Sequence, residues 1–215
     1  MPAAKPKPTF ERELAIVARN GATIAGVDEA GRGPLAGPVV AAAVAFSEAD
    51  IKGGLSAELA ELNDSKVLKE ERREQLCQAI VKHFQIGIGI AERARIDADN
   101  ILNATLWAMQ MAVYALNPSP TVVLIDGDKA PELEFPSETI VGGDGRCLSI
   151  AAASIVAKVK RDQIMRKLGA LYPEYGFERH KGYGTKAHLE AIRRHGICDA
   201  HRRSFRPIRE ALERV

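Results

Sequence analysis

The strongest constraint on the fold is a buried strand that ends in two adjacent acids and runs directly into a glycine-rich turn. Residues 22–27 form an apolar run, and Asp28 and Glu29 follow it at once. The turn behind them, residues 30–37, contains three glycines. Neighbouring carboxylates repel each other, and removing them from water costs free energy unless a cation or hydrogen-bond donors compensate. The segment therefore predicts a metal site beside a place where a substrate backbone comes close.

Further strands and helices alternate along the chain. Short apolar runs or strict apolar alternation predict strands at 38–46, 84–91, 121–125 and 138–141. Helical periodicity and end signals predict helices at 10–19, 55–62, 69–84, 97–116, 149–168, 185–195 and 205–215. This order predicts an α/β fold, with a mixed central β-sheet flanked by helices and a C-terminal helical extension.

The length of 215 residues and the hydrophobic share of 46% favour one domain of ordinary size. The Lys/Pro-rich residues 1–9 are expected to be a disordered N-terminal arm. The catalytic α/β domain is expected over 10–170. A helical substrate-binding extension over 171–215 should belong to the same domain unit.

Charge is distributed unevenly along the chain. Residues 1–157 hold 15 Lys/Arg and 21 Asp/Glu, whereas residues 158–215 hold 15 and 7. A basic C-terminal region beside an acidic body suits a polyanion-binding surface next to a metal centre. The alternative interpretation is a solvated basic helical face.

Cysteine use and targeting signals indicate the compartment. Cys77, Cys147 and Cys198 are widely spaced and form no CxxC pair, so we expect reduced thiols. The first eight residues contain no apolar signal segment, and the longest apolar run is too short to cross a bilayer. We therefore expect a cytoplasmic protein with no membrane partner.

Four acids beside glycines at expected strand ends are the candidate metal ligands: Asp28, Glu29, Asp126 and Asp144. Ligands bind at such strand ends in α/β sheets. Oxygen ligands without nearby His or Cys favour Mg²⁺ or Mn²⁺ over zinc, and two ions about 4 Å apart would activate a water and stabilise a leaving oxygen. Adjacent strand residues point to opposite faces, so Asp28 and Glu29 can serve one centre only if the strand bends or stops there.

Other motifs are less informative about chemistry. The Gly31–Gly33 turn lacks the Gly-Lys-Ser/Thr of a P-loop, and no serine lies in a Gly-x-Ser-x-Gly motif. His188 and His195 lie seven residues apart on one helical face, which is more typical of a surface pair than of a metal site.

Several segments, in this order, resemble prokaryotic ribonuclease HII, a type 2 ribonuclease H family. The resemblance covers about residues 22–210, and its motifs lie at 27–38, 62–66, 124–127, 143–145, 149–162, 175–177, 180–185 and 201–205. It implies an RNase H-like fold and an endonuclease that cleaves the RNA strand of RNA/DNA hybrids. It also implies nicking of duplex DNA 5′ to single embedded ribonucleotides, in the removal of misincorporated ribonucleotides or primers.

The same resemblance implies residue roles. Hydrolysis would use two Mn²⁺ or Mg²⁺ ions and leave a 3′-OH and a 5′-phosphate, with Asp28, Glu29, Asp126 and Asp144 as the catalytic metal ligands. The substrate-binding residues would be Gly31, Arg32 and Gly33, which sense the ribose 2′-OH; Tyr183, which stacks on the following deoxyribose; and Lys66 and Lys158, which contact phosphate.

Arg202 and Arg203 are expected to grip duplex phosphates, so that binding weakens with salt. We expect a monomer that acts on nucleic acid, and the sequence identifies no protein partner. Two alternatives remain open: another metal-dependent nuclease or nucleotidyl-transfer enzyme of this fold, and a catalytically silent duplex-binding module. Four mutually repelling acids argue against the second alternative.

Overall fold

A computed structural model describes residues 7–20, 22–63, 65 and 67–213, and it contains a five-stranded β-sheet flanked by helices. The strands are β1 (Ile24–Ala30), β2 (Val39–Phe46), β3 (Gln85–Ala91), β4 (Val122–Asp126) and β5 (Ser137–Ile140). The helices are α1 (Glu11–Asn20), α2 (Glu48–Gly53), α3 (Glu70–His83), α4 (Arg93–Tyr114), α5 (Leu148–Leu171), α6 (Phe177–His180), α7 (Lys186–His195) and α8 (Arg206–Leu212). The predicted α/β class with a helical C-terminal part is confirmed.

The sheet is mixed, with strand order β3-β2-β1-β4-β5. Its central strand β1 pairs antiparallel with β2 and parallel with β4, and β5 pairs parallel with β4. The carboxyl ends of β1, β4 and β5 therefore lie along the same edge of the sheet. This edge is where the acid-bearing segments leave it.

Each face of the sheet is covered by one long helix. Helix α5 packs against β1 so closely that a Cβ on Gly26 would lie 2.1 Å from the carbonyl carbon of Ser149. On the other face, α4 crosses β3, and a Cβ on Gly87 would lie 1.8 Å from the carbonyl oxygen of Ala112. Such approaches leave no room for a side chain, which explains glycine in these strands.

The C-terminal helices pack on the loop that follows β1. One hydrophobic cluster joins Leu35 and Ala36 of that loop to Ile192 of α7 and Ile208 of α8, and it also includes Met165 of α5. The segment expected to be an extension is thus tied directly to the glycine-rich turn behind the paired acids.

The predicted helix at 55–62 is wrong in position. The helix in this region is α2, which starts earlier because Ser47 and Asp50 form a capping box: the Ser47 N–H donates to Asp50 Oδ2 at 2.8 Å, and the Asp50 N–H donates to Ser47 Oγ at 3.2 Å. Only a 3₁₀ turn, Ala57–Leu59, falls in the predicted range.

Helix α4 begins four residues earlier than predicted and is broken at Asn100, whose φ is 67°. The Asn100 Oδ1 accepts hydrogen bonds from the N–H groups of Leu102 and Asn103 at 2.9 and 3.1 Å. The side chain therefore caps the second helical segment, as asparagine does at helix starts.

The expected disordered arm covered residues 1–9, of which 1–6 lie outside the described residues. Thr9 forms two main-chain hydrogen bonds with the rest of the chain: its N–H donates to the Arg146 carbonyl, and its carbonyl accepts from the Leu148 N–H, both at 3.1 Å. Organised structure thus starts before Phe10. None of the helices in the described part of the chain combines the length and apolar character that crossing a bilayer requires.

Candidate active site

Three of the four candidate acids meet where β1 and β4 leave the sheet. The parallel pairing of β1 with β4 ends at Val27 and Ile125, so Asp28 and Asp126 are the next residues on neighbouring strands. Asp28 and Glu29 both lie close enough to Asp126 for their charges to interact. The topology alone therefore brings residues 98 positions apart in sequence to one centre.

From the sequence we expected a bend or a stop at the paired acids, and the strand does not stop there. It continues to Ala30, and Asp28 and Glu29 remain in register with Ala42 and Ala41 of β2. Both acids nevertheless interact with Asp126 across the end of the sheet.

Asp28 is a buried carboxyl, with 4% of its surface exposed. Burial, and then repulsion from Glu29 and Asp126, raises its pKa well above the ordinary value. Two donors oppose this rise: the Glu29 N–H, at 2.7 Å from Asp28 Oδ1, and the side chain of Ser154 on α5. The Ser154 hydroxyl also contacts the Ser65 hydroxyl at 2.8 Å, which links the acid to the segment before Lys66.

Glu29 is less enclosed. Burial is the largest influence and raises its pKa; the nearby Arg32 guanidinium lowers it, and Asp126 raises it. Arg32 Nη1 lies 3.4 Å from Glu29 Oε1, and half of the Arg32 side chain is exposed. The Arg32 charge therefore offsets part of the effect that burial and Asp126 have on Glu29.

The last two acids are connected through a tight turn. The Gly143 N–H donates to Asp126 Oδ1 at 2.7 Å, and Gly143 opens the 3₁₀ turn Gly143–Gly145 that follows β5. Asp144 lies in this turn and is buried, with 6% of its surface exposed. The turn therefore carries the fourth acid to the same edge of the sheet.

The donor set fits a hard divalent cation. The candidate ligands are carboxylate oxygens, and two of them, on Asp28 and Glu29, have raised pKa values that a nearby cation would lower. Within the described residues, no three Asp, Glu, His or Cys side chains form a ready-made cage. Water or substrate oxygens would thus complete the coordination, which is how Mg²⁺ is usually held.

The glycine-rich turn lies immediately beyond these acids. Gly31 has a φ of 102°, and a Cβ there would lie 2.0 Å from Arg161 Nε, so only glycine fits. Arg32 and Gly33 are exposed. Tyr183, with 48% of its surface exposed, lies over the turn, because a Cβ on Gly33 would be 3.5 Å from the Tyr183 ring. The structure therefore brings Tyr183 beside Gly33, as two of the expected substrate-binding groups.

Of the two candidate lysines, the structure describes only Lys158. Lys66 lies outside the described residues. Lys158 is partly buried on α5, and its Nζ donates to Asp162 Oδ1 at 2.7 Å. Burial lowers the Lys158 pKa, whereas the contact with Asp162 raises it. Its ammonium is held by a carboxylate, and its role as a phosphate ligand stays a prediction.

The expectation that Arg202 is exposed and grips phosphate is wrong. Arg202 is completely buried, and its guanidinium donates to the carbonyls of Gly31, Arg32 and Gly37, so it cannot grip duplex phosphates. Arg203, in contrast, has a side chain that is 54% exposed.

His188 is also buried, and its Nε2 lies 3.1 Å from Nε2 of His201. It therefore forms no surface pair with His195. Burial lowers the pKa of both His188 and His201 to about 4.

Sequence reasoning missed Arg161, which is 1% exposed and donates to main-chain carbonyls behind the glycine-rich turn. Helical spacing could have indicated that Arg161 is buried. It lies four residues after Ala157 and four before Met165, so it falls on the buried face of α5.

The fold and the acid-lined sheet edge define an enzyme of the ribonuclease H class. The ribonuclease H2 of Pyrococcus horikoshii OT3 superimposes with a TM-score of 0.75 at 26% identity, over 89% of this chain and 98% of that one. Bst-RNase HIII in complex with Mn²⁺ shares the fold, with a TM-score of 0.66 at 19% identity, over 93% of this chain and 72% of that one.

The chain belongs to the ribonuclease HII family, whose family model matches residues 25–208. Ribonuclease HII of Xanthobacter autotrophicus is 51% identical over 201 residues, which are 94% of this chain and 78% of the relative. Ribonuclease HII of Shewanella pealeana is 52% identical over 189 residues, 87% and 90% of the two chains. The expected family and the expected endonuclease class are confirmed.

Proposed function

We propose that this protein cleaves the RNA strand of RNA/DNA hybrids and nicks duplex DNA 5′ to single embedded ribonucleotides. One observation carries the proposal: a cluster of mutually repelling carboxylates at the end of the sheet lies directly beside a main-chain turn that is open to a ligand. The cluster is built on Asp28, Glu29 and Asp126, and the turn is Gly31–Gly33.

The acids serve as the metal-binding centre. Asp28, Glu29 and Asp126 supply oxygens at the ends of β1 and β4, and Asp144 approaches from the turn after β5. Two Mn²⁺ or Mg²⁺ ions, when bound, would supply Lewis-acid stabilisation of the attacking and leaving oxygens of the phosphodiester. The buried Asp28 is held by the Glu29 N–H and Ser154, so its carboxylate is oriented before substrate arrives.

The glycine-rich turn recognises the sugar. The N–H groups of Arg32 and Gly33 donate to no acceptor within the described residues, and both residues are exposed. They are thus available to hydrogen-bond the ribose 2′-OH, the group that separates RNA from DNA at a given position. Gly33 has no side chain to block the approach.

Tyr183 reads the following sugar. Its half-exposed ring lies against Gly33 and presents an apolar surface next to the position of the 2′-OH. A deoxyribose packs on such a surface without burying a hydroxyl, whereas a second ribose would lose hydration there. The ring therefore favours cleavage at an RNA–DNA junction. The products carry a 3′-OH and a 5′-phosphate. Such cleavage suits the removal of ribonucleotides from DNA.

A substrate series tests the proposal. Purified protein is incubated with Mn²⁺ or Mg²⁺ and four labelled duplexes or strands of one sequence: an RNA/DNA hybrid, DNA with one ribonucleotide, double-stranded RNA and single-stranded RNA. We expect cleavage of the first two and a large loss with Asp28→Asn. Wild-type turnover by that variant would exclude the acid assignment, and preferential cleavage of double-stranded RNA would favour a different nuclease.

A further inference from the structure

Two arginines lie buried behind the glycine-rich turn. Arg161 and Arg202 are 1% and 0% exposed, and among the described residues neither has a carboxylate at salt-bridge distance, although the charges of Asp162 and Asp97 raise their respective pKa values. Burial lowers both pKa values, to about 10 and about 9, and the charge of Arg161 further lowers that of Arg202. Burying two like charges together is an expensive way to stabilise a core, since apolar residues of similar size often serve as well.

Arg202 fixes the direction of the amides in the turn. Its Nη2 and Nη1 donate to the carbonyls of Gly31 and Arg32 at 2.6 and 3.0 Å. The C=O and N–H of a trans peptide point in opposite directions. Holding these carbonyls inward therefore turns the N–H groups of Arg32 and Gly33 away from the core, toward solvent.

Arg161 connects the same loop to the tyrosine segment. Its Nε and Nη2 donate to the carbonyls of Pro38 and Ala36 at 3.0 and 3.2 Å, and its Nη1 donates to the carbonyl of Lys181 at 3.0 Å. Lys181 lies two residues before Tyr183. One planar guanidinium thus spans both loops.

Main-chain bonds support the same junction. The Leu35 N–H donates to the Gly182 carbonyl at 2.8 Å, and the Arg202 N–H donates to the Leu35 carbonyl at 2.8 Å. The glycine-rich turn, the tyrosine segment and the segment at 200–202 are therefore one hydrogen-bonded unit.

We propose that Arg161 and Arg202 are positioning residues for sugar recognition: they set the orientation of the Arg32 and Gly33 amides and their spacing from the Tyr183 ring. The inference rests on the proposed function, because it deepens the role of that same turn. Neither arginine touches the substrate. Their effect is on selectivity for a ribonucleotide, and it acts through the main chain.

The test uses Arg202→Lys and Arg161→Lys, which keep the buried charge but replace a planar fork by a single ammonium. For each, KM is measured on duplex DNA with one ribonucleotide, and Ki is measured for the all-DNA duplex of the same sequence as competitor. We expect the ratio of Ki to KM to fall about tenfold, the worth of one well-placed hydrogen bond. The Mn²⁺ concentration for half-maximal activity should stay unchanged.

Ile192→Ala is the matched control, because Ile192 is buried in the same C-terminal cluster. It lowers the melting temperature without touching the loop carbonyls, and it should keep the wild-type ratio. A wild-type ratio in both lysine variants, or an equal fall in Ile192→Ala, would overturn the inference. If wild-type protein itself shows no preference for the ribonucleotide duplex, the proposed function fails instead, so the two failures are distinguishable.

Discussion

Replacing Asp28 by asparagine should stabilise the metal-free protein while it abolishes cleavage. Burial and repulsion from Glu29 and Asp126 raise the Asp28 pKa, so its charge is unfavourable in the fold. Asparagine keeps an oxygen for the Glu29 N–H, so the change removes charge and retains the contact at 2.7 Å. We expect a gain of about 0.5–2 kcal/mol, which in a chain of 215 residues raises Tm by about 1–8 °C.

The gain should depend on pH in one direction. Native Asp28 holds its proton more tightly than the unfolded chain, whose pKa is the ordinary value of 3.8. Wild-type stability from this group therefore falls as the pH rises from 3.8 through the raised native pKa. The advantage of Asp28→Asn should be largest above the native pKa and should disappear below 3.8.

A divalent ion should reverse the order of stability. An ion present at 100 times its Kd stabilises the native state by about 2.7 kcal/mol, or about 5–11 °C for a chain of this size. Wild-type protein should show this rise with Mn²⁺, and Asp28→Asn should show a smaller one because a ligand is missing.

Scanning calorimetry at pH 8, first with chelator and then with excess Mn²⁺, measures both effects. Glu190→Gln, which changes an acid whose side chain is 63% exposed on α7, is the control and should follow wild type. If Asp28→Asn melts below wild type in chelator, the inferred repulsion between Asp28 and its neighbours Glu29 and Asp126 is refuted. An undiminished Mn²⁺ shift in this variant would refute Asp28 as a ligand.

Three further predictions concern Tyr183, Arg203 and the buried histidine pair. Tyr183→Ala should lose cleavage at an RNA–DNA junction more than cleavage of long hybrids, and equal losses would exclude the stacking role. Arg203→Ala should reduce the slope of log affinity against log salt by about 1 if its exposed guanidinium contacts phosphate; an unchanged slope removes it from the interface. Because the native pKa values of His188 and His201 are depressed to about 4, stability should fall as the pH drops from 6.5 to about 4, by about 1.4 kcal/mol per pH unit and histidine. Urea titrations at pH 7 and pH 5 measure this loss, and His188→Gln should show a shallower one.

Local patterns predicted the parts of the fold that depend on burial alone. The strands carry continuous or alternating apolar residues, and the acids follow them, so the meeting of Asp28 with Asp126 follows from parallel strand ends. The length of β1 could not be predicted from the local sequence, because Asp28 and Glu29 stay in the strand by pairing with Ala42 and Ala41 of β2. A strand partner is a tertiary contact, and the sequence around Asp28 does not encode which one it will be.

Buried polar residues were the main failure of sequence reasoning. Arg202 and His188 were assigned to the surface, since charged and polar side chains are usually exposed. Both are enclosed because the C-terminal helices fold back over the loop after β1, and main-chain carbonyls and a second histidine satisfy them there. Those partners are 13 to 171 residues away in sequence, beyond the reach of any local pattern.

The most direct test of metal-dependent cleavage at a ribonucleotide is the cut position in one duplex DNA that contains a single ribonucleotide. Both strands are end-labelled, and the products are resolved with Mn²⁺, with Mg²⁺ and with chelator. We expect one nick, 5′ to the ribonucleotide, with a 3′-OH and a 5′-phosphate, that requires the metal and is absent from the all-DNA duplex. Cleavage that persists in chelator, or that occurs equally in the all-DNA duplex, would contradict this expectation.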